Sequence, residues 1–130
     1  IKDMLIKNSP VTNNNIIYKI PCKDCPSFYV GQPSKNLCVR IKQHMYSVRT
    51  AQTSNALFIH LSEKSHCINW GDTSVIARSN DYVSRNLLES AIIQITNKNN
   101  LNLSLRLYHL DPYICKMFMK DLKINEQLIN

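Results

Sequence analysis

The chain has 130 residues, 44% of them hydrophobic, and a formal net charge of +7. That composition suits one domain with a real core and excludes a collagenous, disordered or loop-only chain. No run of about 18 apolar residues occurs, which excludes a membrane-spanning helix. The charge is uneven: residues 1–65 carry nine Lys/Arg against three Asp/Glu, and residues 66–130 carry seven against six. No acid lies between Asp24 and Glu63, where Lys35, Arg40, Lys42 and Arg49 all fall. A one-sided basic surface points to a polyanion, most simply nucleic acid. A merely solvated basic face is the other reading of the same charges. The sequence opens on Ile1, so a piece of a longer protein is expected. No secretory pattern opens it, so the five cysteines are expected as thiols or thiolates in a reducing compartment.

Residues 1–12 read as a lead-in, broken from the rest by Asn13-Asn14-Asn15. Residues 16–20 (IIYKI) are β-branched and aromatic, which predicts a strand. Pro21 and Pro26 bracket a turn that holds Cys22 and Cys25, a Cys-x-x-Cys with the look of a metal knuckle. Residues 27–31 (SFYVG) predict a second strand, so the pair reads as a hairpin. Residues 36–49 follow a helical period with Leu37, Ile41, Met45 and Val48 as the apolar stripe. Ser54 is a candidate cap for a second helix reaching about residue 64, with Leu57, Phe58 and Leu61 inward. Residues 73–78 predict a third strand. Residues 82–96 predict a third helix with Leu88, Ile92 and Ile95 facing the core. The Asn-rich stretch 97–102 ends it. Asp111-Pro112 starts a last helical piece, whose Ile114, Met117, Phe118 and Leu122 dock on the core or on a missing neighbour. The order β-β-α-α-β-α predicts an α+β fold: a small three-stranded antiparallel sheet flanked by helices.

Three sets of residues carry candidate chemistry. Arg40 and His44 stand four apart, one helical turn from each other and off the expected apolar stripe, so they can point together into a cleft. Arg clamps phosphate with paired N–H bonds, and His can move a proton. The plain alternative is the polar side of an ordinary helix. Glu89 lies in the most apolar helix, and one carboxylate with phosphate oxygens is a common way to hold magnesium. Its plain alternative is an ion pair with Arg85. Tyr18 and Tyr29 sit in the hairpin strands and can share a sheet face. A phenol in a dry cationic site can ionise below its reference pKa of about 10. The usual meaning of tyrosines in strands is packing. Cys38 and Cys115 read as ordinary buried thiols.

The order of these signals is more specific than any one of them. "IIY", ten residues, "YVG", then Arg40 and His44 on the next helix and Glu89 on a later one resembles the GIY-YIG nuclease family. Within that family the chain is most similar to the endonuclease domain of Penelope-like retroelements. That branch carries a Cys-x-x-Cys between the tyrosine motifs and a downstream histidine pair, here Cys22, Cys25 and the His60 and His66 of "HLSEKSH". "YVGQ" at 29–32, "RNLLES" at 85–90 and "LN" at 101–102 add to the resemblance, which covers about residues 14–112. Ile16 stands where the family usually has Gly, Pro33 and Ser34 replace the polar–Gly continuation, and Gln43 stands where an acid is common.

The resemblance implies a metal-dependent DNA endonuclease that hydrolyses one phosphodiester bond. Glu89 would hold Mg²⁺ or Mn²⁺, and Tyr18 would be the general base. Tyr29 would orient water or phosphate, and Arg40 would meet the developing charge. His44 would assist proton transfer or phosphate binding, and Asn102 would support the site. Lys35, Lys42 and Arg49 would grip the DNA backbone. Cys22, Cys25, His60 and His66 would bind a structural Zn²⁺ that staples the hairpin, with Cys67 a rival fourth ligand. Residues 13–112 would form the nuclease domain and 113–130 a C-terminal helical extension. An upstream reverse transcriptase and a nuclear location are implied in turn. A zinc-stapled nucleic-acid-binding module that has lost catalysis is the alternative. A purely structural interaction domain is a third.

Overall fold

A computed structural model describes residues 15–33, 36–102 and 110–121. The lead-in segment and Lys35 lie outside the described residues. Two strands, β1 (Ile16–Pro21) and β2 (Phe28–Gly31), form the expected hairpin, and β3 (Ser74–Arg78) pairs with the other side of β1. The sheet is antiparallel with order β2-β1-β3. Helices α1 (Leu37–Arg49), α2 (Ala56–Lys64), α3 (Tyr82–Ile95) and α4 (Pro112–Asp121) surround it. The fold is α+β, with helices around a three-stranded antiparallel sheet.

Strand alternation divides the core in two. Ile16, Tyr18 and Ile20 point to one face and pack with Leu37 and Ile41 of α1, Leu57 of α2 and Ile68. Ile17, Phe28 and Val30 point to the other and pack with Leu88, Ala91 and Ile92 of α3 and Cys115 of α4. The β1–β3 register slips between Ile17 and Tyr18, which face Ala77 and Val75, so Ile76 is the extra residue of a bulge. That lets Ile76 and Ala77 both join the second cluster.

Caps set the helix starts. Asn36 receives the Val39 N–H at 2.9 Å, and Asp81 receives the Ser84 N–H at 2.8 Å. Asn55, not Ser54, caps α2, accepting from the N–H groups of Leu57 (2.9 Å) and Phe58 (3.1 Å). Ser54 is exposed one residue earlier. In α2, Leu57 and His60 are buried while Phe58 and Leu61 are half-buried. In α4 the docking residue is Cys115, whereas Ile114 and Met117 are exposed. The Phe118 side chain and Leu122 fall outside what the structure describes. Cys38 is half-buried rather than buried.

β2 is an edge strand, but its outer side is covered. Phe28 N–H donates to the Asn99 carbonyl (2.9 Å), and Leu101 N–H donates to the Phe28 carbonyl (2.8 Å). The Asn102 side chain then satisfies Val30: Oδ1 accepts its N–H at 3.0 Å and Nδ2 donates to its carbonyl at 2.8 Å. An amide side chain thus mimics one more rung of the ladder.

Candidate functional site: a tyrosine cleft braced by a metal knuckle

Antiparallel pairing sets Tyr18 opposite Gly31 and Ile20 opposite Tyr29. Two residues apart on one face, Tyr18 and Tyr29 therefore lean toward each other, with ring centroids 6.3 Å apart. The space for this is the missing side chain of Gly31. A Cβ there would lie 2.7 Å from Tyr18 Oη and 2.9 Å from Tyr29 Cε2. Gly31→Ala should force both rings to move and destabilise the domain by about 1–3 kcal/mol, the usual cost of overpacking. Chemical denaturation checks this; unchanged stability would mean that the rings yield freely.

His44 closes the cluster from α1. Its Nε2 is 2.9 Å from Tyr18 Oη, and its ring meets Tyr29 edge-on at 5.0 Å. The expectation that His44 lies off the apolar stripe is corrected: it is 2% exposed. The reason is helical geometry, since position 44 lies three residues after Ile41 and seven after Leu37, on the buried seam. Burial, then the nearby Arg40 charge, pushes its pKa down to about 3, so the ring is neutral. Arg40 itself is half-buried and donates Nη1–H to Gln43 Oε1 at 3.1 Å. Its guanidinium pulls both phenol pKa values down, but burial is stronger and holds Tyr18 and Tyr29 above the ordinary range. Glu89 pushes them up as well, so its carboxylate lies within electrostatic reach of both phenols.

A cleft of about 480 Å³ opens beside β2, lined by Tyr29, Gly31, Gln32, Asn86, Glu89 and Asn102 among others. Arg85 is held there by Gln32 Oε1 (3.0 Å to Nε) and the Ser79 carbonyl (2.9 Å to Nη1). Gln32 Nε2 also donates to Asn86 Oδ1 at 2.9 Å. Gln32 of "YVGQ" thus links the β2 exit to α3, a task that its sequence position does not reveal. Lys42 and Arg49 lie exposed on the outer side of α1, Arg49 over the Tyr46 ring at 5.5 Å.

The knuckle lies at the far end of the hairpin. Cys22 and Cys25 come from the β1–β2 connection, His60 from the middle of α2, and His66 from just beyond its end. Ser65 ends α2 in the left-handed region (φ 54°), which turns His66 back to face His60. Cys22–Ile68 bridging and the Asn69 N–H to Pro21 carbonyl bond (2.9 Å) tie the two segments together.

His60 Nε2 is 3.3 Å from Cys22 Sγ, 3.4 Å from Cys25 Sγ and 3.2 Å from His66 Nδ1. Cys22 Sγ is 3.4 Å from His66 Nδ1, and all four donor atoms lie within 4.8 Å of one another. A tetrahedral zinc with bonds of about 2.3 Å to S and about 2.05 Å to N sets its donors about 3.3 Å (N···N) and about 3.6 Å (S···N) apart. One imidazole nitrogen has a single proton or a single lone pair, so it cannot hydrogen-bond fully to three partners. Four donors converging on one point are better explained as ligands, and the set fits a structural metal such as zinc. Asp24 N–H donates to Cys22 Sγ at 3.4 Å, which suits a thiolate. Cys67 is no rival: it is exposed, and its backbone serves the turn instead, accepting from Lys23 N–H (2.8 Å) and donating to Asp24 Oδ2 (2.7 Å).

The chain matches no family model, no curated protein and no solved structure. The residues themselves carry the functional argument.

Proposed function

We propose that the tyrosine cleft is the hydrolytic centre of a metal-dependent DNA endonuclease of the GIY-YIG type. On this reading the chain is the nuclease part of a Penelope-like retroelement protein. It would work in the nucleus beside a reverse transcriptase domain. The observation that carries the reading is a cluster of two phenols, a guanidinium and a neutral imidazole beside a cleft that Tyr29 and Glu89 line, with the Glu89 carboxylate acting electrostatically on both phenols. Hydrolysis of a phosphodiester calls for these groups: an acceptor for water's proton, a fixed positive charge and a carboxylate for a cation.

Glu89 offers a half-buried carboxylate in a polar cleft, which fits the habit of Mg²⁺ or Mn²⁺ of taking one carboxylate with water and phosphate oxygens. When bound, the cation supplies Lewis-acid stabilisation of the leaving oxygen. Tyr18 would act as the tyrosinate, its own hydroxyl proton first lost to solvent, and in that form would take the proton of the attacking water; the Arg40 charge favours that ionised form, against the effect of burial. Tyr29, half-exposed at the cleft wall, orients the water or the phosphate. Arg40 meets the charge that grows on the phosphoryl oxygens. Asn102 acts at one remove by holding the Val30 backbone. The metal knuckle keeps the hairpin in register, and its four protein donors leave no open position for chemistry.

Lys42 and Arg49 give the DNA backbone its grip. Replacing both by Ala should weaken binding to all sequences alike and flatten the salt dependence by about two counterions. Fluorescence titrations at several salt concentrations check this; a loss confined to one sequence would assign base reading to them.

A second reading, a zinc-stabilised nucleic-acid-binding module without catalysis, draws on one observation. Tyr18 is 0% exposed and its phenol is held in the neutral form. Supercoiled plasmid incubated with the protein and magnesium or manganese separates the two. Nicked circles favour the endonuclease. Tight binding without nicking under either cation favours the module.

A further inference from the structure

The cap of α2 reaches further than its own helix. Asn55 Oδ1 accepts two backbone N–H groups, from Leu57 and Phe58. Backbone N–H groups only donate, so this end of the amide is the oxygen. The other end, Nδ2, lies 3.3 Å from His44 Nδ1. An amide NH₂ also only donates, so His44 Nδ1 must present its lone pair. A neutral imidazole has one proton, and it is then left on Nε2, 2.9 Å from Tyr18 Oη.

We infer that Asn55 is a positioning residue: its side-chain N–H holds His44 as the Nε2–H tautomer, so that His44 donates to Tyr18 and does not accept from it. The chain of bonds runs Asn55 Nδ2–H to His44 Nδ1, then His44 Nε2–H to Tyr18 Oη. The Tyr18 hydroxyl proton is thereby turned away from His44. The buried, neutral state of the ring agrees with this assignment. The consequence for chemistry rests on the endonuclease reading. There His44 steadies the tyrosinate by donating to it and is not the acceptor of its proton.

Asn55→Asp tests this without removing the cap. Asp caps a helix as well as Asn does, so the N–H groups of Leu57 and Phe58 keep an acceptor. Toward His44, however, it presents an oxygen that can only accept, which calls for a proton on Nδ1. Long-range ¹H–¹⁵N spectra of the ¹⁵N-histidine-labelled protein, recorded without DNA, read the proton on each ring nitrogen. The wild type should show Nδ1 bare and Nε2 protonated. Asn55→Asp should show Nδ1 protonated. Asn55→Ser, a cap that is too short to reach His44, should lose the single-tautomer signature with little change in Tm. A proton on His44 Nδ1 in the wild type overturns the inference, as does a bare Nδ1 in Asn55→Asp. If the wild type never nicks DNA while the proton moves as stated, the endonuclease reading fails and the assignment of Asn55 stands.

Discussion

Cys22→Ser is expected to abolish zinc binding by the four-donor set and to cost much of the domain's stability with it. Serine nearly matches the size of cysteine, so the packing at this 6%-exposed position barely changes. The thiolate is removed from a set in which every donor lies within 4.8 Å of the others. Structural zinc contributes about 10–16 kcal/mol of apparent binding free energy in small finger peptides. Two hydrophobic clusters support this domain independently, so only part of that should appear as lost stability. Even a third of it would lower Tm by more than about 10 °C for a chain of this size. Metal analysis should give about one zinc per wild-type chain and almost none for the variant. Chelation of the wild type should reproduce the variant's melting curve. Zinc-free protein that melts at the wild-type temperature would show that the four donors form a hydrogen-bonded cluster only.

Arg40→Ala is expected to lower plasmid nicking about 10²–10³-fold, the cost of losing one preorganised charge at a phosphoryl group. DNA affinity should fall far less, because Lys42 and Arg49 remain exposed on the same helix. Tyr18→Phe should lower the rate by a similar factor. It keeps the ring between Gly31 and Tyr29 and removes only the hydroxyl that meets His44. Zinc content should stay at the wild-type level, since the knuckle is at the other end of the hairpin. If Tyr18→Phe nicks as fast as the wild type, Tyr18 is not the base.

The strands and helices were legible because local chemistry and burial agree there. β-branched runs became β1 and β3, and the shared face of Tyr18 and Tyr29 follows from a period of two. The Cys-x-x-Cys was visible as a knuckle, but its histidines were not visible from spacing. His60 and His66 were paired with it through a family resemblance, and their meeting depends on a left-handed turn at Ser65. What stayed hidden was every feature set by a distant partner. His44 lies on the buried seam of α1, yet a histidine there gives no sign that a tyrosine 26 residues away will receive it. Ser54 and Asn55 are both good caps, and only the fold shows which side chain faces α2 and His44 together. Asn102 looked like a site residue, while its bonds go to the Val30 backbone 72 residues away. Ile114 and Met117 look like core on a helical wheel, but Cys115 takes the docking face.

On the proposed function, Glu89 holds the cation that makes the tyrosine cleft hydrolytic. Single-turnover nicking by wild type and Glu89→Ala, each saturated with DNA across a magnesium titration, tests it most directly. The wild type should nick only in the presence of the cation. Glu89→Ala should be slower by at least about 10²-fold, with poor rescue at high magnesium and with zinc content and DNA affinity preserved. Glu89→Ala protein that nicks at the wild-type rate with the same magnesium dependence would contradict it.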